Sequence, residues 1–344
     1  MRHHAFAFLL AMGFALALPA PASHAQTGST GTISGVVNMA TSGERLDASL
    51  LAVEVIILAD GGVTGTKAAT VQGDTYEVQV DADADLTYVP RATYDGVPYF
   101  SGAVTLGDDK TAARDFTVYA TTQDPPDLRV ADTLVTVVAL DRGQSQLGFI
   151  RDDLVVNPSD RVFIGSGQER ITLRYPAPED TLEVAGENAD GRFELEGGVV
   201  TTTTPLRPGE TPVVTRYLVS YDRSEDSYTL RLTAPVATAR AVLRVPEGYA
   251  RALTLEGDAV RGEPQVVEVS EGESVTFRVI EATDLGPGDG LVVTLDGFAP
   301  EVNSNVLTDS PQAIIAIALA LVVLGGAAAY ALARPRGARP SEAT

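Results

Sequence analysis

The sequence predicts an all-β fold of tandem β-sandwich domains, followed by one C-terminal transmembrane helix. Apolar and polar residues alternate with a period of two in runs such as 76–80 and 228–232. Clusters of Gly, Asp, Asn and Pro separate these runs at short intervals, as is typical of sandwiches. Between the two termini, the sequence has no stretch with the 3.6-residue period of an amphipathic helix. A length of 344 residues accommodates two or three folded units.

Residues 1–25 have the features of a secretory signal peptide. Arg2 supplies a positive charge, and 5–18 is an uncharged apolar run that is short for a membrane span. Small residues, Ser23 and Ala25, occupy the −3 and −1 positions of a cleavage site. We therefore expect export and cleavage after Ala25, with an uncleaved anchor as the alternative.

Residues 313–333 are predicted to form the transmembrane helix. This 21-residue stretch, AIIAIALALVVLGGAAAYALA, has no charge and would span about 32 Å as a helix. Arginines follow it in 334–344, whereas 301–312 contain acids and no base. The positive-inside rule then makes 334–344 a cytoplasmic tail and 301–312 a stalk outside the membrane. The predicted location is the cell membrane, as a single-pass type I protein with a periplasmic or extracellular ectodomain.

Composition divides the exported part into units. Residues 121–127, TTQDPPD, are polar and contain a Pro-Pro pair, which cannot lie in a central strand. They separate a first sandwich at 30–120 from the remainder. A weaker boundary divides the remainder into a second sandwich at 128–234 and a third small β unit at 240–300. The alternative is that these two form one larger sandwich.

Five segments of the first unit follow one another in an order that a known family shares. They are 31–37 (GTISGVV), 53–58 (VEVIIL), 76–80 (YEVQV), 88–100 (YVPRATYDGVPYF) and 115–119 (DFTVY). Together they resemble the carboxypeptidase regulatory-like domain, and this resemblance implies a transthyretin-like, seven-stranded sandwich. Such domains are generally non-catalytic spacers, folding partners or binding modules. The whole layout is similar to that of bacterial envelope proteins.

The composition excludes most catalytic chemistry. The chain has no Cys and no Trp, and its three histidines, His3, His4 and His24, lie in the predicted signal peptide. A processed chain that begins at Gln26 lacks the imidazole and thiolate that common hydrolytic centres and zinc sites need. We therefore expect no enzyme activity and no resident cofactor. A glycosidase is the catalytic class left open, because it needs only two carboxylates.

The charge balance indicates which partners fit. Acidic residues outnumber basic ones by 46 to 25, and the net charge is −21. Such a surface repels polyanions, so we expect no nucleic-acid partner. It fits either an ordinary solvated bacterial surface or adaptation to high salt.

A cluster of acidic residues is a candidate calcium site. Asp81, Asp83 and Asp85 are spaced by two, which would place their carboxylates on one face of a strand. Several carboxylate oxygens converging from one side are typical calcium ligands. The alternative is a solvated strand end.

A cluster of aromatic residues is a second candidate site. Tyr88, Tyr94, Tyr99 and Phe100 lie close together in the sequence and are candidate contacts for a carbohydrate or a protein partner. The alternative is packing of the rings in the sandwich, with only the hydroxyl groups reaching water.

These observations predict a non-enzymatic, membrane-anchored bacterial protein that acts as an envelope scaffold or a protein-interaction module. Sheet edges offer strand addition to an extended partner, and acidic faces favour a cationic one. One alternative is a carbohydrate-binding or calcium-dependent adhesin. Another is the carboxylate-only glycosidase.

Overall fold

The computed structural model describes residues 29–298, apart from 61, 109, 189 and 271–272. This part of the chain is all β, with a single short 3-10 helix at Ala48–Leu50, as the alternating pattern predicted. Within these residues, no helix has the length and apolar character needed to cross a membrane. The predicted signal peptide, stalk, transmembrane helix and tail lie outside the described residues.

Two sheets form the first unit. Its strands are β1 (Thr30–Met39), β2 (Leu51–Ala59), β3 (Gly62–Ala68), β4 (Thr70–Gln72), β5 (Thr75–Asp81), β6 (Thr87–Tyr94), β7 (Val97–Phe100), β8 (Thr111–Ala113) and β9 (Phe116–Val118). One sheet has the order β4-β5-β1, with β8 and β9 both pairing in parallel with β1. The other sheet has the order β3-β2-β6-β7, and its pairs are antiparallel.

The alternation in β5 shows why these residues form a sandwich. Tyr76, Val78 and Val80 are buried, whereas the residues between them are exposed. Successive side chains of a strand point to opposite faces, so the apolar set covers the core. A two-residue turn joins β6 to β7, with Asp95 and Gly96 both in the left-handed region (φ 48° and 78°), as a type I′ hairpin requires.

The rest of the described chain forms one larger unit. Its strands are β10 (Thr121–Thr122), β11 (Arg129–Asp141), β12 (Gln146–Asn157), β13 (Val162–Phe163), β14 (Leu173–Pro176), β15 (Thr181–Gly186), β16 (Phe193–Glu196), β17 (Val199–Thr202), β18 (Gly209–Ser220), β19 (Ser227–Thr233), β20 (Thr238–Pro246), β21 (Ala250–Glu256), β22 (Val260–Arg261), β23 (Gln265–Ser270), β24 (Glu273–Leu285) and β25 (Gly290–Phe298). An eight-stranded sheet has the order β15-β18-β12-β11-β20-β24, with β22 and β23 both pairing with β24. Two three-stranded sheets, β14-β17-β16 and β19-β25-β21, share one core with it.

Strands from the predicted second and third units, 128–234 and 240–300, lie in one eight-stranded sheet and contribute to one core cluster. Strand β20 pairs in parallel with β11, and Val135 and Leu243 lie in the same core cluster. The segment between β19 and β20 is only a connection between strands. Proline and small residues look the same in sequence whether they join two strands or two domains, so the pattern could not choose between these alternatives.

The first and second units contact each other directly. Strand β10 pairs with β13, and Val162 of β13 belongs to the core of the first unit. Thr41 Oγ1 donates a hydrogen bond to the backbone oxygen of Asp160 at 2.8 Å. The Arg207 guanidinium lies 5.4 Å from the centre of the Tyr99 ring. The Pro-rich segment at 121–127 is thus part of a packed junction.

Candidate functional site

A groove of about 800 Å³ runs along one side of the first unit. The chain crosses there from one sheet to the other at Ala69, whose N–H donates to the Val53 backbone oxygen at 2.8 Å. Strand β4 then pairs with β5 only as far as Glu77. The groove is lined mainly by hydroxyl, amide and charged side chains, among them Ser34, Lys67, Thr70, Gln72, Glu77 and Gln79.

Strand β3 borders this groove and is an edge strand of its sheet. It pairs with β2 on one side, and no described strand pairs with its other side. Because the Ala69 N–H bonds across to β2, strand alternation turns the backbone groups of Thr66 and Ala68 away from β2. The side chain of Val63 is 69% exposed. The free edge of β3 can therefore hydrogen-bond to an extended chain.

The same edge carries features that oppose pairing between identical copies. Lys67 points into the groove region, where its Nζ lies 3.5 Å from Asp81 Oδ2. A register shift between Ile57 and Leu58 bulges the β2–β3 ladder. Charged side chains and bulges are the usual protections of an exposed edge.

The predicted calcium ligands do not lie on one strand face. Strand β5 ends at Asp81, so Asp83 and Asp85 lie in the following turn. There the Asp83 carboxylate accepts a hydrogen bond from the Asp85 N–H at 3.0 Å. In the described part of the chain, acidic side chains do not gather in groups of three or more that could hold a metal ion.

Three of the four predicted aromatic contacts are core residues. Tyr88, Tyr94 and Tyr99 are buried, and the Tyr88 hydroxyl donates to the backbone oxygen of Asp81. Burial raises the pKa of both Tyr88 and Tyr99. Only Phe100 is on the surface, 50% exposed. The four side chains therefore do not form a shared exposed contact surface, because alternation along β6 and β7 turns the three tyrosines inward.

Sequence reasoning missed an ion pair inside the second unit. Arg151 and Asp153 are 3% and 0% exposed, and Arg151 Nε donates to Asp153 Oδ2 at 2.8 Å. Arg151 also donates to the Thr233 backbone oxygen at 3.0 Å, and Thr133 Oγ1 donates to Asp153 Oδ1 at 2.6 Å. Burial opposes the charge on Arg151, but Asp153 and the nearby Tyr175 ring outweigh it and raise the Arg151 pKa.

The signal that could have found this pair is its spacing. Arg151 and Asp153 continue the inward-facing series of Phe149 and Val155 along β12. In the sequence, however, three consecutive charged residues at 151–153 look like a solvated segment. Only the position of the facing sheets shows that two of them are buried.

Asp152 points to the opposite face of the same strand. Burial, and then the neighbouring charges of Asp153 and Glu187, raise its pKa to about 6. A carboxyl with a raised pKa is a common feature of catalytic acids. Asp152, however, lies on a sheet face and lines neither the 800 Å³ groove nor the cleft between the units.

Two smaller depressions lie elsewhere on the surface. The cleft between the units has a volume of about 190 Å³ and is lined by Asp95, Arg170 and Arg192 among others. A shallow groove of about 480 Å³ lies beside Phe163 and Leu173. Neither contains a residue that the sequence analysis singled out as a site.

Comparisons with known proteins assign no family. No family model matches the chain, and no curated protein matches it. Among solved structures, it is similar to the AChBP from Bulinus truncatus, with 10% identity over 52% of this chain and 90% of that chain. The TM-score is 0.20, so this likeness carries no argument about fold or function.

Proposed function

We propose that the chain is a non-enzymatic protein-interaction module, exported by 1–25 and held outside a bacterial membrane by 313–333. The free edge of β3 beside the 800 Å³ groove carries this proposal. In strand addition, main-chain hydrogen bonds supply affinity, and side-chain pockets next to the edge supply specificity. The edge and the groove provide both components in one place.

The chemistry of the groove indicates an extended, cationic partner. Glu77 and Lys67 line the groove with opposite charges, and Lys67 pairs with Asp81, so the remaining negative charge comes from Asp83 and Asp85 beyond the end of β5. Complementary charge speeds encounter and selects partners, and salt screens its effect at exposed sites. We therefore expect a basic peptide segment to add to β3, and to bind more weakly as ionic strength rises.

The resemblance to carboxypeptidase regulatory-like domains supports a spacer or binding role for the first unit. The two sheets contain strands at each of the five segments that carry the resemblance. The packed junction with the second unit supports a scaffold role in the envelope, since contacts between the units limit their relative motion.

A proline at the outward-facing N–H of β3 tests the edge. Thr66→Pro removes an N–H that points away from β2, and Thr66→Val keeps it while removing the same hydroxyl. With a fluorescent peptide of alternating Val and Lys as the probe, we expect Thr66→Pro to weaken binding at least about tenfold. Thr66→Val should bind as the wild type does, and equal binding by all three proteins would contradict the proposal.

Turnover measurements test the absence of catalysis. Purified protein that begins at Gln26 should show no hydrolysis above background with peptide, ester and glycoside substrates. A defined turnover that follows the folded protein through purification would overturn the non-enzymatic assignment. In the same preparation, a rise in melting temperature on adding calcium, reversed by chelator, would favour the adhesin alternative.

A further inference from the structure

The outer face of the eight-stranded sheet combines half-buried and buried side chains, most of them apolar. Strand β12 directs Arg151 and Asp153 into the core, so Ile150, Asp152 and Leu154 point to the other side. Their half-buried side chains lie beside outward residues of the neighbouring strands. The registers place Leu134 next to Asp152 and Thr136 next to Ile150.

Five charged residues lie near the centre of this outer face. Asp132 and Arg240 approach each other at 3.6 Å, and Arg240 also contacts Glu281 at 2.9 Å. Asp152 and Arg244 have no ion-pair partner among the residues that the structure describes. The Arg244 Nε is buried, and no described group accepts a hydrogen bond from it. Burial, and then the charge of Arg240, lower the Arg244 pKa.

The two unpaired charges have opposite signs and a defined separation. Asp152 lies beside Leu134, and Arg244 lies beside Thr136, on strands that flank β11 on either side. With strand spacing near 4.8 Å and a rise near 3.4 Å per residue, the two positions are roughly 12 Å apart. Leu134 and Thr136 of β11 lie between them.

We propose that this face pairs with the same face of a second copy of the chain, so that Asp152 of each copy meets Arg244 of the other. A two-fold axis in the plane between the faces, passing between Leu134 and Thr136, exchanges the two positions. One rotation therefore forms both ion pairs at once. The proposal rests on the proposed interaction function and names a second partner, at a surface distinct from the β3 edge.

A second copy fits this surface better than a ligand of one charge. A cationic ligand would leave Arg244 unpaired, and an anionic one would leave Asp152 unpaired. The copy supplies both signs at the right separation by symmetry, and it covers the apolar residues between them. The outer positions around the axis are mainly apolar or hydroxyl-bearing. Leu134, Ile150 and Leu154 are half-buried, whereas Thr136, Val214 and Val242 are already buried between their neighbours.

The size of the face sets the expected affinity. Five central strands present an area about 20 Å on each side, or about 800 Å² summed over both copies, which is below the roughly 1,000 Å² expected of a stable interface. Such a contact is weak in dilute solution. Tethering of both copies to one membrane raises their effective concentration and favours it.

Charge reversal with reciprocal rescue tests the pairing. Full-length Asp152→Arg and Arg244→Asp are purified in mild detergent, and their self-association is measured by analytical ultracentrifugation. Each variant alone places like charges together, so we expect its dimer dissociation constant to rise at least about a hundredfold. An equimolar mixture of the two restores both opposite-charge contacts, and it should form heterodimers about as tightly as the wild type.

The absence of cysteine provides an independent crosslinking test. Leu134→Cys lies beside the proposed axis, whereas the control Thr229→Cys is exposed on β19, in the opposite sheet. In intact membranes, a short bis-maleimide should crosslink Leu134→Cys into dimers, and Thr229→Cys should remain monomeric.

Several outcomes would overturn the inference. They are a wild type that stays monomeric at high concentration, self-association that survives both reversals, and folded variants that fail to associate when mixed. Far-ultraviolet circular dichroism of each variant shows whether it has folded. Thr66→Pro should leave self-association unchanged, because it alters only the β3 edge. A protein that binds the peptide but does not dimerise would contradict this inference and leave the proposed function intact.

Discussion

The two faces of the eight-stranded sheet treat charge in opposite ways. On the inner face, Arg151 and Asp153 are almost completely removed from water, and each finds a partner. On the outer face, Asp152 and Arg244 are only partly buried, and no described residue pairs with either. The Asp153 carboxylate thus has a partner, whereas the carboxylate of Asp152, the preceding residue of the same strand, has no ion-pair partner among the described residues.

This difference shows where a protein can leave charge unpaired. An unpaired charge deep in the core costs several kcal/mol, so removing one partner of the inner pair strongly destabilises the unit. At a half-exposed face, water compensates in part and the cost is smaller. The remaining free-energy cost of these partly buried charges is removed when a partner with complementary charge covers the face. The outer charges therefore favour association with such a partner.

The largest expected effect comes from breaking the inner pair. Arg151→Met leaves the Asp153 carboxylate buried without its cation, so we expect a loss of about 3–5 kcal/mol in the free energy of unfolding. Urea denaturation measures this loss. The double variant Arg151→Met/Asp153→Leu removes both charges and should be markedly more stable than the single variant. A single variant at least as stable as the double would show that the pair is dispensable.

Removing the charge of Asp152 should raise the free energy of unfolding, whereas breaking the inner pair lowers it. Its pKa of about 6 in the folded protein lies above the ordinary 3.8, so the folded chain binds this proton more tightly than the unfolded chain. The resulting stabilisation is complete below about pH 4 and is lost as the pH rises through 6. Asp152→Asn should therefore stabilise the dilute monomer at pH 7 by roughly 2–3 kcal/mol.

The measurement is the free energy of unfolding at several values between pH 4 and pH 7, at concentrations where the chain is monomeric. In the wild type, stability due to this group should fall across that range. In Asp152→Asn, this contribution should be absent. Identical pH profiles for the two proteins would contradict the raised pKa.

A smaller effect is expected from the hydroxyl that supports the inner pair. Thr133→Val removes the donor that lies 2.6 Å from Asp153 Oδ1, in a fully buried position. The expected loss is about 1–2 kcal/mol, because a buried charged acceptor loses one hydrogen bond. Thr229→Val is the matched control, since its hydroxyl makes an exposed hydrogen bond with Thr294. Equal losses in urea denaturation for both variants would indicate that burial does not matter here.

The smallest effect is expected from weakening the ion pair between Asp132 and Arg240 on the outer face. Asp132→Asn weakens an exposed contact with Arg240 at 3.6 Å. The expected change in the free energy of unfolding is below about 0.5 kcal/mol, and it should shrink further in high salt. A loss above about 1 kcal/mol would indicate that the outer charges contribute to stability as the inner ones do.

Pattern reasoning succeeded where local sequence determines local structure. The alternation of Tyr76, Val78 and Val80 correctly predicts both a strand and its buried face. The same reasoning fails for 151–153, where consecutive charged residues continue a strand with an inward-facing ion pair. For Tyr88 and Tyr99 the sequence left both a contact surface and packing in the sandwich open, because a tyrosine suits a core as well as a surface, and both side chains are buried.

The division into units shows a second limit. The junction at 121–127 is visible in its prolines, but the strand β10 within it pairs with β13 about forty residues later in the chain. Likewise, the merger of 128–234 with 240–300 depends on the parallel pairing of β11 with β20. Pairings between distant segments leave no periodic signature in either strand.

By itself, the sequence determined the all-β character of the part of the chain that the structure describes, and the absence of Cys and Trp from its chemistry. A side-chain period of two follows from strand geometry alone, and composition cannot be altered by folding. The tertiary structure decided which side meets another sheet in strands with charged residues on both faces, such as β12. A strand face becomes buried only when distant segments assemble a sheet against it. This assembly buries Arg151 and Asp153 as an ion pair and leaves Asp152 and Arg244 on the outer face, without an ion-pair partner among the described residues.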